Sequence, residues 1–143
     1  MFMGEFQHAL DEKGRLTIPA KFREELGEGF IITRGLDRCL FVYPRAEWNG
    51  IQERIRTLPM EKPEVRGFVR LLSAGAVEAE VDKQGRVGLP QHLRDYAGIE
   101  RDAVVIGAIT RVEIWSAAAW TEYAGRFESS FSEIAEKIVG LGI

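Results

Sequence analysis

Residues 11–23 read DEKGRLTIPAKFR and residues 82–94 read DKQGRVGLPQHLR, nearly the same thirteen letters written twice, 71 residues apart. Asp, Gly, Arg, Pro and Arg hold their register in both copies. A duplicated core segment would keep only its apolar residues in step, whereas here charged residues are matched as well. Each copy opens as a tight turn: Asp at the first position and Gly at the fourth are type I turn preferences, and the aspartate carboxylate can accept a nearby backbone N–H. Arg15 and Arg86 follow the turn directly. Leu16 and Ile18, or Val87 and Leu89, then alternate with Thr17 or Gly88, the period of a half-buried strand. Pro19 and Pro90 suit the first position of a short helix, because proline has a fixed φ and no donor to lose. That helix turns Phe22 and Leu93 inward and stops near Gly27 and Gly98.

The similarity extends outward from these thirteen letters. Upstream, Phe6, His8 and Leu10 alternate as Val77, Ala79 and Val81 do. Downstream, with the offset increased by one residue, Gly35 falls on Gly107, Tyr43 on Trp115 and Trp48 on Trp120. A second hairpin is expected in each copy: FIITR turns through GLDR into CLFVY, and AVVIG turns through AITR into VEIW. Each copy ends by entering a helix, through Pro44 in one and through Ser116, a good N-cap, in the other. A unit of about 45 residues is too small to enclose a core, so the two copies are expected to pack on each other as a pseudo-symmetric pair. The expected organisation is α+β: a first repeat over 5–47, a helical linker over 48–75, a second repeat over 76–119 and a C-terminal helix over 120–143.

The helices are amphipathic. Trp48, Ile51, Ile55 and Leu58 form one stripe, and Val65, Phe68, Val69 and Leu72 form another after the breaker LPMEKP. Trp120, Tyr123, Phe127, Phe131, Ile134 and Ile138 carry the pattern through about five further turns. Packing onto the sheets accounts for most of this apolar surface. The far end of the last stripe is also suited to a subunit interface, because two small repeats leave little sheet for it to cover.

At 143 residues, 45% hydrophobic and 29% charged, the chain has the composition of an ordinary globular protein. No apolar run of about 18 residues is present to span a bilayer, and the N-terminus MFMGEFQHAL lacks the basic and apolar regions of a signal peptide. A cytoplasmic location is therefore expected. The net charge of −3 hides a local asymmetry. Residues 11–23 hold four basic side chains (Lys13, Arg15, Lys21, Arg23) against Asp11 and Glu12, and residues 82–94 hold Lys83, Arg86 and Arg94 against Asp82. Residues 113–143 carry five glutamates against Arg126 and Lys137. Charges farther apart than a Debye length of roughly 8 Å are screened from each other at physiological salt. The copies are thus basic patches on an acidic body.

Reactive chemistry is sparse. His8 and His92 occupy non-equivalent positions of the repeat, and no Cys/His cluster has zinc spacing. The string GEGF lacks the third glycine of a dinucleotide fingerprint and the lysine of a P-loop. The single cysteine, Cys39, reads as a small buried hydrophobe in RCLFVYP. No cofactor, metal or small-molecule substrate is expected, and the chain does not read as an enzyme. Two readings remain for the repeated arginines. Asp11–Arg15 and Asp82–Arg86 can brace the turns as surface ion pairs, worth about 0–1 kcal/mol each. Alternatively, each turn presents an arginine fork, oriented by its aspartate, to phosphate oxygens or the O6/N7 edge of guanine, with Lys13 and Lys83 adding backbone charge nearby.

The opening Met1-Phe2-x-Gly4, the two Asp-x-x-Gly-Arg-Leu/Val-x-Ile/Leu-Pro segments, the strand end Leu40-Phe41-Val42-Tyr43-Pro44 and the stretch Arg66 to Leu72 closely resemble the MraZ family, within the swapped-hairpin group typified by AbrB and SpoVT. The resemblance covers essentially the whole chain. It implies a swapped-hairpin barrel built from two AbrB/SpoVT-like β-hairpin repeats. It also implies a nucleoid-associated transcriptional regulator, a repressor, that binds direct-repeat boxes upstream of the division and cell-wall gene cluster, including its own gene. The expected assembly is a ring-shaped homo-oligomer whose subunits engage successive boxes on double-stranded DNA. Such proteins carry DNA contact on the Asp-x-x-x-Arg element, which maps onto Asp11 to Arg15 and Asp82 to Arg86. The second copy departs from the first by placing Gln84 opposite Lys13 and Lys83 opposite Glu12. The alternative function from another class is a ring-shaped protein-interaction scaffold without direct DNA contact.

Overall fold

A computed structural model describes residues 1–143. The first repeat comprises β1 (Phe2–Ala9), β2 (Arg15–Thr17), α1 (Ala20–Leu26), β3 (Phe30–Arg34) and β4 (Leu40–Pro44). Helices α2 (Arg45–Ile55) and α3 (Pro63–Gly75) connect it to β5 (Val77–Ala79), β6 (Arg86–Gly88), α4 (Gln91–Ala97), β7 (Asp102–Ile109) and β8 (Val112–Ser116). The chain finishes in α5 (Ala117–Glu128) and α6 (Phe131–Lys137). No helix is long and apolar enough to cross a membrane.

The two repeats exchange strands. The six-stranded sheet runs β1-β7-β8-β4-β3-β5, every neighbour antiparallel, while β2 and β6 form a separate two-stranded ribbon. Thus the opening strand of each copy pairs with the third strand of the other copy's sequence order or its equivalent: β1 lies on β7, and β5 lies on β3. Equivalent strands β4 and β8 meet at the centre, with Leu40 opposite Ile114. The swap is unequal. β1 runs eight residues, but β5 only three, because α3 ends at Gly75 and leaves the chain no room to start the strand earlier.

The exchange explains why neither copy needs a core of its own. Leu16, Ile18, Phe22 and Leu26 from one copy mix with Val87, Leu89, Leu93 and Ala97 from the other in a single cluster of 19 buried residues. Phe22 receives the ring edges of Phe2 and Phe6, with centroids 5.7 and 5.4 Å away, and so fixes β1 onto α1. A second cluster of Ile31, Cys39, Phe41, Tyr43, Trp48, Leu72 and Trp115 lies under the helices. The buried Thr33 hydroxyl of β3 donates 2.7 Å to the Leu72 carbonyl and ties α3 to that strand.

Several local expectations shift by a residue or more. Pro19 and Pro90 precede the first helical residue rather than occupying it; their extended ψ of 137° and 149° carries the chain from strand into helix. The Pro19 carbonyl already accepts from Phe22 and Arg23 N–H, and Pro90 does the same for Leu93 and Arg94. The second hairpin does not turn through AITR, since β7 continues to Ile109, paired there with Phe2, and only Thr110 and Arg111 separate it from β8. Here the long β1 supplies partners that extend the strand. Gly27 and Gly98 cap their helices at φ of 76° and 64°, as the spacing suggested, and the Ser116 side chain accepts from Ala119 N–H. The C-terminal stripe does not form one continuous helix. It breaks at Ser129 and Ser130, where Ser130 N–H donates to the Phe127 carbonyl and the Ser130 carbonyl accepts from Ile134 N–H to start α6.

Candidate nucleic-acid interface

Each repeated turn is closed by its own aspartate. Gly14 N–H donates to the Asp11 carbonyl at 3.0 Å, and Asp11 N–H donates to the Arg15 carbonyl at 2.9 Å. Asp11 Oδ1 accepts from the backbone N–H of Lys13 and of Arg15, both at 2.9 Å, while Oδ2 accepts from Arg15 Nε at 2.6 Å. The second turn repeats the pattern: Asp82 Oδ1 accepts from Gln84 and Arg86 N–H at 2.9 Å, and Oδ2 accepts from Arg86 Nε at 2.9 Å. Gly14 and Gly85 adopt φ of 74° and 77°, a left-handed conformation that glycine reaches without a Cβ penalty.

The ion pairs expected from the sequence form in both turns. Each aspartate takes the Nε of its arginine, so its own pairing uses neither Nη1 nor Nη2 in a hydrogen bond. The Arg15 terminal nitrogens make no hydrogen bond within the chain; Arg86 Nη1 lies 3.7 Å from Asp11 Oδ2. The side chains are 32% and 26% exposed, so neither is sealed in the interior.

The ribbon sets the two forks side by side. Arg15 opposes Gly88 and Thr17 opposes Arg86. Arg15 and Arg86 are therefore diagonal neighbours on the same face, about 7–8 Å apart at the backbone. Leu16 and Val87, one residue along, point to the opposite face and are buried. The contact of Arg86 with Asp11 of the other copy follows from this register.

The repeat register alone does not say where the side chains of Arg23 and Arg94 go. In the fold each crosses to the turn of the opposite copy. A Cβ on Gly14 would meet Arg94 Cζ at 2.9 Å, and one on Gly85 would fall 1.3 Å from Arg23 Nη1. The glycines are thus needed twice, for positive φ and for the space an arginine fills. Arg94 Nε also donates 2.9 Å to the Leu89 carbonyl, which anchors it at the base of the ribbon. Only the repeat's matching Arg at its thirteenth letter hinted at this role. Lys13 and Lys83 stand exposed at the tips. Six basic side chains, those of Lys13, Arg15, Arg23, Lys83, Arg86 and Arg94, are gathered around Asp11, Glu12 and Asp82.

The backbone N–H of Arg15 holds the Asp11 carboxyl below its ordinary value, partial burial opposing this and the guanidinium adding to it; the N–H of Arg86 does the same for Asp82. A carboxylate with a lowered folded-state value contributes stability that is fully present above the unfolded value and is lost as pH falls through the folded one. NMR titration of the Asp11 and Asp82 carboxyl carbons is therefore expected to give midpoints below 3.8, with the Arg15 and Arg86 amide signals moving in parallel. Midpoints at 3.8 would show that these bonds do not hold the turns.

Cys39 offers no competing chemistry. It is 1% exposed, its Sγ lies 3.2 Å from the Leu36 carbonyl, and burial, with Glu113 adding to it, pushes the thiol strongly upward. His92 Nε2 sits 3.2 Å from the Gly75 carbonyl at the end of α3.

Compared with known proteins, the chain matches the family model described as "MraZ protein, putative antitoxin-like" twice, over residues 1–71 and 72–141. It is 57% identical over 143 residues to the transcriptional regulator MraZ of Syntrophomonas wolfei, with both chains covered completely. It is 56% identical over 139 residues to that of Carboxydothermus hydrogenoformans, covering 97% of each, and 55% identical over 143 residues to that of Natranaerobius thermophilus, again with full coverage. Each family match contains one Asp-x-x-Gly-Arg turn. On this full-length, doubled match the chain belongs to the MraZ family, whose members are transcriptional regulators rather than enzymes.

Proposed function

We propose that the chain is a sequence-specific DNA-binding repressor that reads direct-repeat promoter boxes upstream of the division and cell-wall gene cluster, including its own gene. The observation that carries this reading is the pair of arginine forks, Arg15 and Arg86, on one face of the ribbon, each with its Nε held by its own aspartate; the terminal nitrogens of Arg15 make no bond within the chain, and Arg86 Nη1 lies 3.7 Å from Asp11 Oδ2. A planar fork so oriented matches a phosphate or a guanine edge bidentately. Lys13, Lys83, Arg23 and Arg94 supply surrounding positive charge, which positions the duplex without reading it. One such patch binds weakly. A ring of subunits placed on successive boxes raises the effective concentration of each later contact, and avidity gains of roughly 10² to 10⁴ follow.

The test is a footprint on DNA upstream of the chain's own gene, followed by fluorescence anisotropy on one protected box across a salt series. Protection should recur at regular spacing. Log K should fall linearly with log salt, with a slope of about −0.9 per phosphate neutralised, limited to roughly −5 by the six cations of one subunit. A flat response between low and physiological salt, or no protected repeat, would remove the DNA reading and leave the scaffold alternative.

A further inference from the structure

Two apolar surfaces have no partner within the chain. The first is a groove of about 470 Å³ bounded by α2, α3 and the turns that follow β3 and β7. Trp48 and Leu72 form buried parts of it, while Leu36, Phe68 and Leu71 are 60%, 45% and 58% exposed. The groove keeps a positive balance: Arg34 and Arg54 line it against Glu47, and Arg111, also in its lining, is paired with Glu113 at 2.7 Å. The second surface is the outer C-terminal segment. Phe127, Phe131, Ile134 and Ile138, spaced 4, 3 and 4, are 44%, 71%, 38% and 50% exposed, and α6 contains no buried residue. This segment is acidic, with Glu128, Glu133 and Glu136 against Lys137.

We propose that α6 of one copy docks into the groove of a second copy. The charges are complementary: Arg34 and Arg54 outweigh Glu47 in the groove, Arg111 being paired with Glu113, and they face three glutamates and one lysine. Within α6 itself Phe131 and Ile134, with Ile138 at its C-cap, keep the spacing of one helical face, as in a helix laid into a groove. A seven-residue helix is far below the roughly 12–15 residues at which isolated helices become marginally stable in water, so α6 requires a packing surface that its own chain does not give it. α5 is already committed, since Trp120 and Tyr123 pack on Trp115 with ring centroids 5.3 and 4.8 Å away. Donor and acceptor are different surfaces of the same chain. Every copy then gives its helix to one neighbour and accepts a helix from another, a heterologous contact that generates a ring when its rotation closes. This deepens the proposed regulator and rests on its action as an oligomer, for which it names the surfaces.

The test measures mass by light scattering on full-length wild type, Phe131→Glu, Leu71→Glu and an equimolar mixture of the two variants. Wild type should be a multimer and each variant a monomer that keeps the wild-type circular dichroism of the sheet, since both side chains are exposed in the single chain, and that melts at a temperature independent of protein concentration, because the stabilisation by association is gone. The mixture should form dimers and nothing larger, because one intact helix and one intact groove remain per pair and the contact cannot propagate. A monomeric wild type, a variant that keeps the wild-type mass, or a mixture that stays monomeric would overturn the docking. The DNA reading is scored separately. Both variants keep intact arginine turns and should bind a single-box duplex like wild type at equal subunit concentration, while losing roughly 10²-fold or more on a multi-box array. Loss of single-box binding by a well-folded monomer would count against the turns rather than the docking.

Discussion

The double variant Arg15→Ala, Arg86→Ala is expected to lose specific DNA binding while remaining folded. A good bidentate contact is worth about 1–3 kcal/mol of discrimination, so removing two per subunit weakens specific binding by roughly 30-fold to 10⁴-fold. In a multi-subunit complex the loss is repeated at every box. The folding cost is small by comparison, because the ion pairs are partly exposed and worth about 0–1 kcal/mol each. Asp11 and Asp82 also keep their backbone N–H bonds, which close the turns without the guanidinium. Gel shift on a protected box, beside circular dichroism and a thermal melt, separates the two effects. Arg→Lys at both positions should not rescue binding, since an ammonium cannot donate to aspartate and to the duplex through one rigid plane. Unchanged binding by the alanine pair would reduce the turns to braces for the ribbon.

The second large effect is on stability. Phe22→Ala is expected to cost about 3–5 kcal/mol, the range for deleting a large aromatic side chain from a packed core, and to lower the melting temperature by roughly 10 °C. Phe22 is 1% exposed and holds Phe2 and Phe6 by their ring edges. Its loss therefore leaves a cavity and also loosens β1, the long exchanged strand. Hydrogen exchange should show the amides of residues 2–9 opening first. A loss under about 1 kcal/mol, or β1 amides as protected as in wild type, would show that the strand is held by its pairing with β7 alone.

The legible parts of the fold were those decided within a few residues. Asp at the first position, Gly at the fourth and Arg at the fifth specify a turn through bonds that span no more than four residues, and both turns close that way. The alternation through Leu16 and Ile18, the inward Phe22 and Leu93, the glycine caps and the Ser116 cap follow from strand period, helix period and terminal hydrogen bonding. What misled was continuity. The apolar spacing from Trp120 to Ile138 ignores the two serines that interrupt it, and the expected AITR turn ignores the partner strand that lengthens β7.

The duplicated turns, their trapped arginines and the need for one copy to complete the other were determined by the sequence alone, because local hydrogen-bond chemistry and the size of a 45-residue unit leave few alternatives. Only the tertiary structure decided that β1 lies on β7 and β5 on β3, that Arg15 and Arg86 share one face, and that Arg23 and Arg94 cross to the opposite turns. These depend on contacts between residues far apart in the sequence, from Ile32 with Val77 to Phe2 with Ile109, whose pairing is chosen by the joint packing of both copies, and no short stretch of chain carries that information.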